Sequence, residues 1–206
     1  KLSKYMNHKK NNDLILRYEK FGGIVATENP PMLSFVDKAF IKNLGFRDSE
    51  LWQQEWKGIL TAPVEAHYAI TDHCSSECEG CYMSSRTQGE SIKEKQNLSH
   101  AKKIADQLDT LNIFHVALGG GESFSIDWFI PLAMYFREKG IVPNVTTNGF
   151  EITDTIAKQC SVFGQVNVSL DAVNDSIATS RPKGHFQKAD NAIKLLKNNK
   201  IRTGIN

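Results

Sequence analysis

Ala66-His67-Tyr68-Ala69-Ile70-Thr71-Asp72-His73-Cys74-Ser75-Ser76-Glu77-Cys78-Glu79-Gly80-Cys81-Tyr82 is the stretch whose reading decides the fold. An apolar strand, Ala66 to Thr71, runs directly into a Cys-x3-Cys-x2-Cys array made of Cys74, Cys78 and Cys81. Thiolates at this spacing on a short loop can converge on one centre. Soft sulfur selects zinc, copper(I) or an iron–sulfur cluster over hard cations. A structural zinc is normally closed by four protein ligands, so His73 or His67 would have to complete a Cys3His site. Three cysteines with no fourth nearby point instead to a cube of iron and sulfide with one iron open to a cofactor or substrate. His67, inside the strand, reads as a core histidine.

Outward from this loop the pattern alternates between periods of two and 3.6. Beyond a polar, aperiodic stretch from Met83 to Gln96, expected to be a loop over the site, a helix starts at Asn97 or Ser99. Leu98, Ala101, Ile104, Ala105, Leu108 and Leu111 lie on one of its faces. A strand, Phe114 to Leu118, then reaches Gly119-Gly120-Gly121-Glu122, completing a βαβ unit. Glycines there let a ligand approach the backbone, and Glu122 offers an acceptor to an ammonium group. A helix from Trp128 to Lys139 is stopped by Gly140. A third strand, Val142 to Thr147, ends in Asn148-Gly149. A helix from Thr153 to Cys160 precedes a fourth strand, Gln165 to Leu170, and Asp171. Phe186, Ala189, Ala192, Ile193 and Leu196 mark a fourth long helix, and Ile201 to Asn206 open a fifth strand. The sequence therefore reads as part of a longer chain, whose remainder would hold most of the substrate pocket and any cysteines for auxiliary clusters.

Four cysteines, three of them clustered, fit metal chemistry in a reducing compartment better than a disulfide framework. Cys160 reads as a small buried hydrophobe. A formal net charge of +2 gives no reason to expect nucleic acid as a partner. There is no apolar run of about 18 residues to span a membrane and no secretory h-region, so a cytoplasmic location is the default.

The residues ahead of the array read as a separate module. Leu14 to Tyr18, Gly23 to Thr27 and Met32 to Val36 are strands, with a turn at Glu28-Asn29-Pro30-Pro31. Asp37 N-caps a short helix bearing Phe40, Ile41 and Leu44, and Gly45 ends it. A second helix is expected from Ser49 to Lys57, and Lys9-Lys10 reads as a solvated tail. The domains are thus 1–62, a β-hairpin-plus-helix module, and 63–206.

Taken together and in order, Cys74-x3-Cys78-x2-Cys81, Gly119-Gly120-Gly121-Glu122, Thr146-Thr147-Asn148-Gly149 and Val168-Ser169-Leu170-Asp171 resemble the radical S-adenosylmethionine (radical SAM) enzymes. The resemblance runs from about Pro63 to the end and implies an α/β fold, a partial (β/α)6 barrel. It further implies a [4Fe–4S] cluster on the three cysteines, with S-adenosylmethionine on the open iron. Gly119, Gly120, Gly121 and Glu122 would hold the methionine amino group, and Asn148 would line the site. Ser169 and Arg181 would bind the methionine carboxylate or the ribose. An aromatic residue often precedes the third cysteine in the family, whereas Gly80 stands there and Tyr82 follows. The expected activity is reductive cleavage of S-adenosylmethionine to a 5′-deoxyadenosyl radical that modifies a substrate, with a low-potential electron donor as partner. The first fifty residues are similar to leader-binding modules of peptide-modifying members, which favours a ribosomally made peptide as substrate. A sulfatase-type protein maturase, an enzyme of cofactor synthesis, and a non-catalytic peptide-docking or structural zinc module are the alternatives.

Overall fold

The computed structural model describes residues 8–10, 14–28, 30–87, 97–177 and 180–206. The chain divides into two compact units. The first comprises residues 1–64 with 110–114, the second residues 65–109 with 115–206. Asn29 and residues 88–96, where the first turn and most of the polar loop were expected, lie outside the described residues.

The first unit is built on an antiparallel sheet of four strands in chain order: β1 (His8–Lys10), β2 (Leu14–Glu19), β3 (Gly22–Glu28) and β4 (Pro31–Asp37). The basic run expected as a solvated tail is therefore a strand. His8 to Lys10 pair antiparallel with Leu16 to Leu14, and a short charged strand is a tolerated way to finish a sheet edge. Along β3 the residues from Gly22 to Ala26 are all buried, because the strand is covered on both faces. Val25 and Leu16 pack with Tyr18, Ile41, Leu51 and Trp52 on one side, while Ile24 and Ala26 pack with Phe114 on the other. Helix α1 (Lys38–Asn43) starts where expected, with the Asp37 carboxylate accepting from the Phe40 amide at 2.7 Å. It ends at Gly45, which has the positive φ of a helix stop. The helix expected from Ser49 to Lys57 shrinks to one 3-10 turn, Glu50–Gln53. Leu51 and Trp52 are buried and the Trp52 indole donates to the Gly22 carbonyl, but the residues after them are exposed and offer no apolar face to carry a helix further.

The second unit holds a parallel sheet of five strands in chain order: β5 (Glu65–Thr71), β6 (His115–Gly120), β7 (Val142–Thr147), β8 (Gln165–Val168) and β9 (Thr203–Ile205). The crossovers carry α2 (Leu98–Thr110), α3 (Phe129–Glu138), α4 (Asp154–Gln159) and α5 (His185–Asn198). Strand alternation sends Ile70, Val116, Leu118, Val145, Val166 and Val168 into a core with Ala101, Ala105, Leu132, Phe136, Ala157, Ala189 and Leu196 of the helices. Cys160 sits in that core, fully buried, as expected.

The same alternation overturns the reading of His67 as a core residue. It is out of phase with Tyr68 and Ile70, so its side chain is 83% exposed and meets Glu65 at 3.1 Å. Strand β8 is two residues shorter than expected. Ser169 and Leu170 lie just past it, though their amides still reach the Thr147 and Asn206 carbonyls.

Candidate active site

Strand β5 delivers the cysteines at its carboxyl end, where parallel α/β sheets gather their sites. The loop closes on itself. The amide of Arg86 donates to the Asp72 carbonyl, the amide of Cys74 donates to the Arg86 carbonyl, and His73 and Arg86 form a parallel bridge. Left-handed Glu77, Gly80 and Ser84 turn the chain between these ties. The thiols of Cys74, Cys78 and Cys81 are free and half-buried.

The end of β6 lies against the start of this loop. Gly121 donates to the Thr71 carbonyl at 2.6 Å and Glu122 to the His73 carbonyl at 2.8 Å. A Cβ on Gly120 would collide with the Thr71 carbonyl and one on Gly121 with the His73 carbonyl, whereas a Cβ on Gly119 would meet open space. Two of the three glycines are thus required by the approach of one backbone to another, and Gly119 alone faces room for a ligand.

Glu122 is 2% exposed. Its carboxylate accepts from the Thr147 hydroxyl at 2.8 Å, the Asn148 amide at 2.8 Å and the Phe124 amide at 3.2 Å, tying the ends of β6 and β7 together. Burial pushes its pKa up to about 7, and these three donors pull the other way. A carboxylate offers roughly four lone-pair positions, so three donors leave about one for a further partner.

Each thiol has its own N–H donor. The Asn148 side-chain amide lies 3.7 Å from the Cys74 sulfur and donates to the Ser76 hydroxyl at 2.8 Å. The Arg181 guanidinium lies 3.8 Å from the Cys78 sulfur. Burial pushes the Cys81 thiol up, but the Ser85 and Met83 amides, the Ser85 hydroxyl and the Ser84 amide together hold it below its ordinary value. Burial keeps the Cys78 thiol high, Arg181 opposes this, and Cys74, Cys81 and Asp171 add to it. Among the described residues no three His, Cys, Asp or Glu side chains cluster tightly enough to hold a single ion. Three thiols each beside an N–H donor are the donor set of an iron–sulfur cluster, whereas a Cys3His zinc would need a histidine as its fourth ligand.

Ser169 is buried at the carboxyl end of β8. Arg181 follows on the loop to α5, whose Ser180 carbonyl accepts from the Glu79 amide of the cysteine loop at 2.8 Å. Its Nε sits 2.8 Å from an Asp171 oxygen, an ion pair by distance but off the line of a hydrogen bond. A cavity of about 290 Å³ opens beside them, lined among others by Leu170, Asp171, Arg181 and His185. The candidate residues named from the sequence therefore stand at the carboxyl ends of β5 to β8 and on the loops that follow. Ser76, Thr147 and Asp171 join them without having been assigned a role; Thr147 and Asp171 lay inside the motifs that ended β7 and β8, whereas Ser76 had no signal beyond its place between two cysteines.

Comparison with known families matches residues 68–206 to the radical SAM superfamily. The chain belongs to it. Over 142 residues it is 30% identical to mycofactocin maturase MftC of Mycolicibacterium smegmatis, an alignment covering 68% of this chain and 36% of that protein. Over 141 residues it is 29% identical to Fe-coproporphyrin III synthase of Methanosarcina barkeri, covering 66% of this chain and 34% of that protein. The chain thus spans about a third of the length of these relatives. Among solved structures it is similar to Streptococcus suis SuiB bound to S-adenosylmethionine, with a TM-score of 0.73 at 15% identity, over 96% of this chain and 56% of that one. This shows that the fold extends through both units. Among the described residues no helix is long and apolar enough to cross a membrane.

Proposed function

We propose that the whole protein holds a [4Fe–4S] cluster on Cys74, Cys78 and Cys81 and uses it with S-adenosylmethionine to modify a peptide. The observation that carries the first part is the set of three half-buried thiols at the end of β5, each facing its own N–H donor. When bound, cluster and S-adenosylmethionine supply reductive cleavage of a carbon–sulfur bond and a 5′-deoxyadenosyl radical that takes hydrogen from the substrate. The chain's own residues hold and orient. Glu122 has about one acceptor position left for the methionine ammonium, beside the uncrowded face of Gly119. Ser169 and Arg181 offer a hydroxyl and a planar pair of donors to the carboxylate. Asn148 fixes Cys74 and Ser76 relative to β7. The whole protein, reconstituted anaerobically and given dithionite and S-adenosylmethionine, is expected to release 5′-deoxyadenosine. None above the level of a Cys78→Ala control would refute the assignment.

Support for a peptide substrate comes from relatives named maturases and from the likeness to SuiB, which is also known bound to its precursor peptide SuiA. In the first unit, β4 pairs only with β3 among the described residues, and Met32, Phe35 and Phe40 on and beside it are exposed. An unpaired edge of this kind can take an extended peptide as a further strand. We therefore assign residues 1–62 to leader binding. Phe35→Asp is expected to weaken a precursor peptide from the same locus by at least about tenfold. Unchanged affinity would leave this unit as a cover only. The second reading, an enzyme of cofactor synthesis, is favoured by the similarity to Fe-coproporphyrin III synthase. In that case no peptide from the locus would bind.

A further inference from the structure

The arginine expected to grip the methionine carboxylate reaches something else as well. Arg181 Nη1 lies 3.8 Å from the Cys78 sulfur, and its Nε lies 2.8 Å from Asp171, so the guanidinium is held from one side and pointed at a thiol on the other. Asp171 is itself fixed, since Ser180 donates to its second oxygen at 3.4 Å. The backbone between these groups is also tied, with the Glu79 amide bonded to the Ser180 carbonyl, so the approach does not rest on one long side chain alone. We propose that Arg181, positioned by Asp171, sets the reduction potential of the cluster by donating an N–H and a positive charge to the Cys78 sulfur.

Reduction adds a negative charge to a cluster already carrying three thiolates. Hydrogen bonds to the sulfurs and nearby charge are among the main determinants of such potentials. A cation against one sulfur stabilises the reduced state more than the oxidised one, so it raises the potential and eases electron entry. Cys74 faces the neutral Asn148 amide and Cys81 faces neutral backbone amides and a hydroxyl, so among the described residues Cys78 alone of the three faces a side-chain cation. The charge is held asymmetrically at one corner of the site. Arg181 thereby has two duties, one toward the cluster and one toward the cofactor's carboxylate. They separate experimentally because only the second needs S-adenosylmethionine.

This inference rests on the cluster assignment above. Its test is a redox titration of the reconstituted whole protein, followed by electron paramagnetic resonance in the absence of S-adenosylmethionine, with iron content measured for every sample. Arg181→Met is expected to shift the one-electron equilibrium toward the oxidised cluster by about tenfold, which is about 59 mV to lower potential. Arg181→Lys, which keeps the charge but loses the planar fork, is expected to move it in the same direction by less than half as much. An unchanged potential in both, with weaker S-adenosylmethionine binding, would overturn the inference and leave Arg181 as a cofactor ligand only. Should the methionine variant retain no iron, the lysine variant decides on the same criterion. Wild-type protein that takes up no iron would overturn this inference together with the reading it rests on.

Discussion

Two arginines, one in each unit, show how differently the chain uses the same side chain. Arg17 on β2 is 1% exposed and pairs with Glu19, itself fully buried, at 3.0 Å. Its remaining nitrogens donate to the carbonyls of Ala62, Pro63 and Asn112 at 2.8 to 3.0 Å. Glu19 in turn accepts from the Thr61 amide and hydroxyl. The cluster of contacts ties β2 to the segments at residues 61–63 and 110–114 within the first unit, and its job is architecture. Arg181 is 20% exposed, paired with Asp171, and aimed at a sulfur beside a cavity. A guanidinium buried among backbone carbonyls serves the fold, whereas one set against a thiol and a cavity is placed beside the chemistry.

The contrast is broken most readily at Arg17. Removing it by Arg17→Met strands the buried Glu19 carboxylate, and unfolding stability should fall by about 3–5 kcal/mol in denaturant titrations. The cluster's potential should not change. A loss below about 1 kcal/mol would mean that Glu19 finds other partners and that the pair is not architectural.

Glu122 is buried like Glu19, but its partners are neutral donors rather than a guanidinium. Burial raises its pKa from 4.5 to about 7, so between those values the folded chain binds more proton than the unfolded one. Stability therefore falls as pH climbs from about 4.5 to 7 and then levels, by up to about 3 kcal/mol from this group. Glu122→Gln should remove that part of the slope when denaturation is compared at pH 5 and pH 8. An unaltered slope would mean that the carboxyl is already ionised at low pH.

The smallest expected effect is at the fourth cysteine. Burial alone pushes the Cys160 thiol up to about 12, while the amides around Cys81 bring that thiol down. Cys160→Ala should cost about 1 kcal/mol as a small cavity and leave iron uptake intact. Iron loss in this variant would show that the core cysteine is not inert.

How far the sequence could be read follows from which forces were local. The alternation of the parallel strands, the Asp37 cap and the Gly45 stop are set by nearest neighbours, and they stand where the pattern places them. Strand β1 escaped because its register depends on β2 rather than on its own basic residues. The short turn at Glu50–Gln53 escaped because Trp52 docks on the Gly22 carbonyl, a contact 30 residues away in sequence. In the site, the cysteine spacing and the order of glycines, Glu122, Ser169 and Arg181 were legible. The use of Gly120 and Gly121 for backbone approach, and the closeness of Arg181 to Cys78 and Asn148 to Cys74, were not. Those depend on the tertiary meeting of loops that lie about 70 to 100 residues apart in sequence.

Metal analysis of the whole protein decides between an iron–sulfur cluster and zinc on the three cysteines. After anaerobic reconstitution, wild type and Cys160→Ala should each carry about four iron and four sulfide with no zinc, and Cys74→Ala, Cys78→Ala and Cys81→Ala should each lose them. One zinc per chain with no iron, lost in a His73→Ala variant, would contradict the account.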